Sequence, residues 1–162
     1  MTDMLAHPFK PIVFKDTQTL ILGSFPSIKS FESNFYYAHP RNQFWKILEK
    51  VTTYPVNNRD QKIWLLKECK FGLWDMLKVC SRENSLDSSL ENEEVNDLAS
   101  FLEEYPNINT LAFTGRKAEA LFKTHFSHLN IETVYLPSPS AAYAKMSFDE
   151  KSEKYKKLLG YA

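Results

Sequence analysis

Residues 35–45, FYYAHPRNQFW, set five aromatic rings beside a histidine, an arginine, an asparagine and a glutamine. A segment that only filled a core would not carry so many amide and charged groups. The mixture suits a pocket for a flat, hydrogen-bonding ligand such as a nucleobase, with rings to stack on and amides to read an edge. A plainer use stands beside it: Phe44 and Trp45 sit where a helix can begin and pack inward. His39 taken alone reads more as a structural histidine than as a catalyst.

Two further segments can carry chemistry. Gly23-Ser24-Phe25-Pro26-Ser27 is a tight turn that offers backbone N–H groups and two hydroxyls to a phosphate or a base. It can equally be an ordinary strand-to-loop turn. Residues 136–146, LPSPSAAYAKM, combine two stiffening prolines with small residues that let a backbone come close. Met146, with Tyr143, is a candidate wedge for the gap a base leaves in a duplex; the alternative is that it folds over the surface. Metal chemistry has little support, because His7, His39, His125 and His128 form no ligand pattern. Cys69 and Cys80 are too few for a disulfide framework or an iron–sulfur cluster and read as reduced, buried thiols. Neither a glycine-rich phosphate loop nor a nucleophile elbow occurs. No metal is expected.

These segments need elements to hold them. Short apolar runs predict strands over residues 19–23, 110–115 and 133–136, and residues 71–79 read as a strand or as a turn plus a strand. Helical spacing predicts helices over 42–50, 95–104 and 116–125. A fourth helix over 147–159 opens with a Ser147/Glu150 capping box, and Gly160 stops it. Phe148, Tyr155, Leu158 and Leu159 should share its buried face. Residues 81–94 are polar and read as a long surface loop. Strand and helix alternate, which implies a parallel sheet with helices on both faces. Ligands of such sheets bind beyond the carboxyl ends of the strands. Residues 23–30, 114–117 and 137–145 should therefore converge.

Bulk composition narrows the classes. A chain of 162 residues, 43% hydrophobic and 25% charged, fits one soluble domain over residues 1–162. The 20 basic and 20 acidic residues cancel, so any nucleic-acid contact must rest on local charge. There is no apolar run of the roughly 18 residues a membrane helix needs, and no signal-peptide layout. A cytoplasmic protein without a membrane partner is expected.

Together the segments resemble the uracil-DNA glycosylase superfamily, which carries Gly-x-x-Pro after its first strand and Pro-Ser after its last. Mismatch-specific members add a segment near HPxNxFW. The nearest likeness is to the hypoxanthine-DNA glycosylase (DNA-deoxyinosine glycosylase) family. It is carried by LILGSFPS (20–27), YYAHPRNQFW (36–45), GLWDMLKVCSRENSLDS (72–88), FTGRKAEALF (113–122) and LPSPSAAYAKMSFDEK (136–151). The order is collinear from about residue 8 to residue 159.

The resemblance implies a three-layer α/β/α sandwich around a four-stranded parallel sheet. It implies hydrolysis of the N-glycosidic bond of a deaminated base flipped from single- or double-stranded DNA, with no cofactor, by a monomer in base excision repair. Many relatives place an Asp or Asn in the first motif to hold water. Here Ser24-Phe25 has neither, and the resemblance carries the role to Asn42. Phe25 and Tyr37 become stacking candidates, and His39 and Arg41 candidates for base or phosphate. Ser24, Ser27, Ser138, Ser140, Tyr143, Lys145 and Met146 become DNA contacts. Thr114 stands where the family has an Asn that reads the base edge, and LPSPSAA replaces LPSTSPA. Both departures leave the preferred base open. No lysine stands out as a Schiff-base nucleophile, so no strand cleavage is expected. A non-catalytic DNA-binding relative and a hydrolase of free nucleosides remain as alternatives.

Overall fold

A computed structural model describes residues 4–7, 10–26, 28–33, 35–81 and 91–160. Four strands form the parallel sheet: β2 (Thr19–Gly23), β3 (Phe71–Asp75), β6 (Thr110–Thr114) and β7 (Glu132–Leu136), in the order β3-β2-β6-β7. Alternate side chains of the central strands leave on opposite faces. Leu20, Leu22, Leu111 and Phe113 enter one apolar cluster with α4 (Leu98–Glu104) and α5 (Arg116–His125). Ile21, Ala112 and Leu136 enter another with α2 (Phe44–Thr52), α3 (Arg59–Cys69) and α6 (Phe148–Leu158). The expected α/β/α sandwich is thus present, with the central strands β2 and β6 buried on both faces. A sixth, short helix, α1 (Ile28–Ser33), follows β2.

The structure settles or corrects several boundaries. Of the two readings of residues 71–79 the one with a turn is right, with a strand on each side of Met76. The Met76 and Leu77 N–H groups donate to the carbonyls of Gly23 and Ser24, at 2.8 and 3.0 Å. β4 (Leu77–Ser81) then pairs antiparallel with β1 (Met4–Ala6) and β5 (Glu91–Val95) in a second sheet. The polar loop expected over 81–94 is therefore strand at both ends, with residues 82–90 outside the described set. Among the described residues β5 pairs with β4 alone. Glu93 there takes the Lys117 ammonium at 2.6 Å. Val95 ends this strand and does not begin a helix; α4 starts after Asp97, whose carboxylate accepts the Ser100 N–H. The α2 helix begins at Phe44, two residues late. The α3 helix was not expected; only Leu65 and Leu66 are buried on it, too few for a clear period.

The capping box of α6 forms in both directions, and Gly160 takes φ +83° beyond the helix end. The buried face of α6 differs from expectation. Tyr155 is fully buried, Leu158 is exposed, and Lys151 and Ser152 are buried instead.

Candidate active site

The carboxyl ends of β2, β3 and β6 lie side by side, with Gly23 the register partner of Asp75 and Leu22 that of Phe113. A side chain at Gly23 has no room. A Cβ there would lie 2.6 Å from Asp75 Oδ1, 3.2 Å from the Tyr37 hydroxyl and 3.4 Å from Thr114 Oγ1. Three oxygens from three segments thus crowd one bare Cα. The Tyr37 hydroxyl and Thr114 Oγ1 are hydrogen-bonded at 3.0 Å, and Thr114 also donates to the Leu22 carbonyl at 3.4 Å.

The second sheet supplies a histidine. The β1–β4 pairing continues into a bond from the His7 N–H to the Lys78 carbonyl. His7 Nε2 then meets Asp75 Oδ2 at 2.8 Å, with both side chains almost wholly buried. The imidazole stands edge-on to Phe25 and tilted against Tyr36, at centroid distances of 5.8 and 5.9 Å. Burial, the Asp75 charge and then Tyr37 push the Tyr36 phenol far above the ordinary tyrosine range. Its hydroxyl donates to the Lys10 carbonyl at 3.2 Å.

The aromatic loop is held from both ends. Ser30 Oγ accepts the Ala38 N–H at 3.1 Å, and the Trp45 indole N–H donates to the Tyr36 carbonyl at 3.0 Å. Between them Tyr37 adopts φ +53°, a left-handed conformation that is uncommon for an aromatic residue. This backbone turn lays its ring on Phe44 at 3.9 Å with an interplanar angle of 19°. One face of Tyr37 is therefore taken. Phe44 and Trp45 are core residues, as the plainer reading of the loop had it. Asn42 is half-buried, and its Oδ1 accepts the Phe44 N–H at 2.9 Å. His39 and Arg41 are exposed; His39 Nδ1 accepts the Arg41 N–H at 3.0 Å.

The proline-serine loop docks onto the aromatic loop. The Gln43 N–H donates to the Pro139 carbonyl at 2.8 Å, and the Tyr155 hydroxyl to the Pro137 carbonyl at 2.7 Å. Below the junction Lys151 is 1% exposed. Its ammonium donates to Gln43 Oε1 at 2.8 Å and to the Ser140 carbonyl at 3.1 Å, and lies 5.3 Å from the Tyr143 ring centre. Desolvation lowers its pKa below the lysine norm. Ser138 Oγ accepts the Ser140 N–H, and Ser140 Oγ the Ala142 N–H, both at 3.2 Å. Each hydroxyl keeps its own proton to donate.

Of the residues singled out in the sequence, Tyr37 and Thr114 meet directly, and Asn42 lies one residue from the Gln43–Pro139 bond that joins the two loops. Ser138 approaches the sheet edge at Gly115, where a Cβ would lie 3.7 Å from it. Ser24 and Phe25 are buried, each 6% exposed, and Phe25 packs into the cluster beneath α4 and α5. A base can stack on Phe25 only if neighbours move. Tyr143 and Met146 are half-buried and Lys145 is exposed. Ser27 lies outside the described residues. Sequence reading missed His7, Asp75 and Lys151. Asp75 had one signal, an acid ending the apolar run FGLWD, and Lys151 had none beyond its place in the SFDEK motif. Among the described residues no cluster of His, Cys, Asp or Glu could hold a metal ion, and no helix is long and apolar enough to cross a membrane.

The family model described as the uracil DNA glycosylase superfamily matches residues 11–160. The chain belongs to the uracil DNA glycosylase superfamily. Two of its similar relatives are named hypoxanthine DNA glycosylase. The one from Methanosarcina acetivorans is 34% identical over 152 residues, covering 93% of this chain and 96% of the relative. The one from Methanosarcina barkeri is 32% identical over 151 residues, covering 92% and 95%. A solution NMR structure from M. acetivorans, of a protein assigned to the uracil DNA glycosylases, superposes with a TM-score of 0.79 at 32% identity. It covers 96% of this chain and 99% of its own. For a superfamily member the loops at the carboxyl edge of the sheet are the ones to examine for chemistry. His7 lies outside the matched range.

Proposed function

We propose that this enzyme is a monofunctional DNA glycosylase that releases a deaminated base flipped from DNA, hypoxanthine foremost and uracil or xanthine as further substrates. The observation that carries the reading is the Tyr37–Thr114 contact beside Gly23, which puts a stacking ring and a hydrogen-bonding hydroxyl at the sheet edge. Full-length similarity to two proteins named hypoxanthine DNA glycosylase supports it.

Cleavage leaves positive charge on the sugar and negative charge on the base, so the site must hold a water near the anomeric carbon and offer donors to the base. Asn42 is suited to the first task. Its Oδ1 already receives the Phe44 N–H, but a carbonyl oxygen has a second lone pair and the Nδ2 group two donors. Tyr37 is the candidate ring for stacking the base. Ser138 and Ser140 donate to phosphates with the hydroxyl protons their local turns leave over, and Arg41 and Lys145 add exposed positive charge. Lys151 is held by two acceptors under the loops, which argues against Schiff-base chemistry. The enzyme is expected to act as a monomer in the cytoplasm on single- or double-stranded DNA.

The test is a panel of oligonucleotides carrying deoxyinosine, deoxyuridine or deoxyxanthosine, assayed for free base and for borohydride trapping. Base release without trapping is expected. Asn42→Ala should slow release by about 10²- to 10⁴-fold, the usual span for a residue that positions or activates the nucleophile. An enzyme inert on all three lesions at high concentration refutes the reading.

A further inference from the structure

We propose that Asp75, held by His7, is the carboxylate that takes the proton of the attacking water. The inference deepens the glycosylase reading and rests on it. Asn42 can orient a water, but an amide does not accept a proton at neutral pH, so a carboxylate within reach would add a proton transfer that Asn42 cannot perform. The first motif supplies none, since Ser24 and Phe25 follow Gly23. Its neighbour in the sheet does. Asp75 is Gly23's register partner, and its Oδ1 occupies the space that any side chain at position 23 would claim. The acid absent from one strand is thus present in space from the next.

Two observations point to a ligand at this oxygen. Asp75 is 4% exposed, and its Oδ2 is engaged by His7. Oδ1 receives no hydrogen bond from the described residues. A buried carboxylate oxygen without a donor is rare, and a bound water or a reacting group is the common resolution. The Tyr37 hydroxyl and Thr114 Oγ1, like Asp75 Oδ1, lie within 3.4 Å of the position a Cβ at Gly23 would take, so all three oxygens border the same bare stretch of backbone. The two hydroxyls have other bonds, to each other and to the Leu22 carbonyl, that hold them in place. His7 is fixed in turn by Phe25 and Tyr36, which sets the carboxylate's rotamer.

In the step, the water oxygen bonds to the anomeric carbon as the carbon–nitrogen bond breaks. The bonding pair leaves with the base, the water proton passes to Asp75, and the base takes a proton from solvent. The carboxylate also opposes the positive charge that develops on the sugar. Asp75 acts here as a catalytic residue and His7 as a positioning residue.

The experiment is single-turnover release of hypoxanthine from a deoxyinosine duplex by wild type, Asp75→Asn and Gly23→Ala, with duplex binding and urea unfolding measured alongside. Asp75→Asn keeps the shape and the His7 contact and removes the base. Its rate should fall by about 10²-fold or more while duplex affinity stays within about threefold. A folded Asp75→Asn enzyme with near-wild-type rate overturns the proposal. Should Asp75→Asn fail to fold, Gly23→Ala carries the test. Its methyl must displace the carboxylate, so an unchanged rate overturns the proposal and a loss of about tenfold or more supports it. Wild type inert on every deaminated base is a different failure, that of the glycosylase reading.

Discussion

Lys151→Met would test how the two loops of the site are held together. The ammonium sits almost wholly out of solvent and donates to Gln43 Oε1 and to the Ser140 carbonyl. Each bond from a charged donor contributes about 1.5–3 kcal/mol, so about 3–6 kcal/mol of contact is lost. Methionine returns part of this, because the buried charge carried a desolvation penalty of several kcal/mol and the replacement has similar volume. The net loss should be about 2 kcal/mol at pH 7 in urea unfolding, near the upper part of the range for point substitutions. The pH dependence gives a second handle. Burial lowers the folded-state pKa of Lys151, so between that value and the unfolded value of about 10.4 the unfolded chain binds more protons. Wild-type stability attributable to this group therefore rises with pH across that window. The methionine variant lacks the rise, and the gap between the two proteins should widen from pH 7 toward pH 10. Base release should fall further than stability does, on the order of 10²-fold, because the bonds that align the loops are lost. A variant as stable as wild type, or a gap that narrows with pH, would refute the account of Lys151 as a buried, charged clasp.

Other outcomes follow from the same geometry. Thr114→Asn should shift relative rates among hypoxanthine, uracil and xanthine while leaving the fold intact, because position 114 faces Tyr37 at the sheet edge; ratios of kcat/KM across the panel check it. Above pH about 10 the wild-type fold should lose stability steeply. Burial raises the pKa values of Tyr36 and Tyr155 in the folded state, so their contribution is complete below the unfolded value and is lost as pH rises above it. Tyr155→Phe should flatten that loss, measured as the slope of unfolding free energy against pH.

Three strands of the central sheet were legible because they are short apolar runs that end at glycine or proline signals, whereas β3 ends at Asp75 without one. Residues 19–23 matched β2 without adjustment, and 110–115 and 133–136 came within a residue of β6 and β7. The second sheet was not legible. β1 has three residues, and β5 is the acidic run ENEEV, whose strand state depends on pairing with β4 rather than on its own pattern. The candidate site divides along the same line. Tyr37, Asn42 and Thr114 stood out because their neighbours in sequence were unusual. His7 and Asp75 are 68 residues apart and meet only through the pairing of the second sheet with the first. Lys151 looked like any helical surface lysine, and its burial comes from the loop that folds over it.

The short strand β1 has a consequence for how the site is set. Met4, Leu5 and Ala6 pair with Ser81, Cys80 and Val79, and that register alone determines which side of the ribbon His7 leaves from. Side chains alternate along a strand, so a slip of one residue would carry the imidazole to the opposite face. Three pairs are few, and so short a strand can open locally before the whole domain does. The grip on Asp75 is therefore tied to the local opening of β1, which warming can loosen while the parallel sheet remains intact.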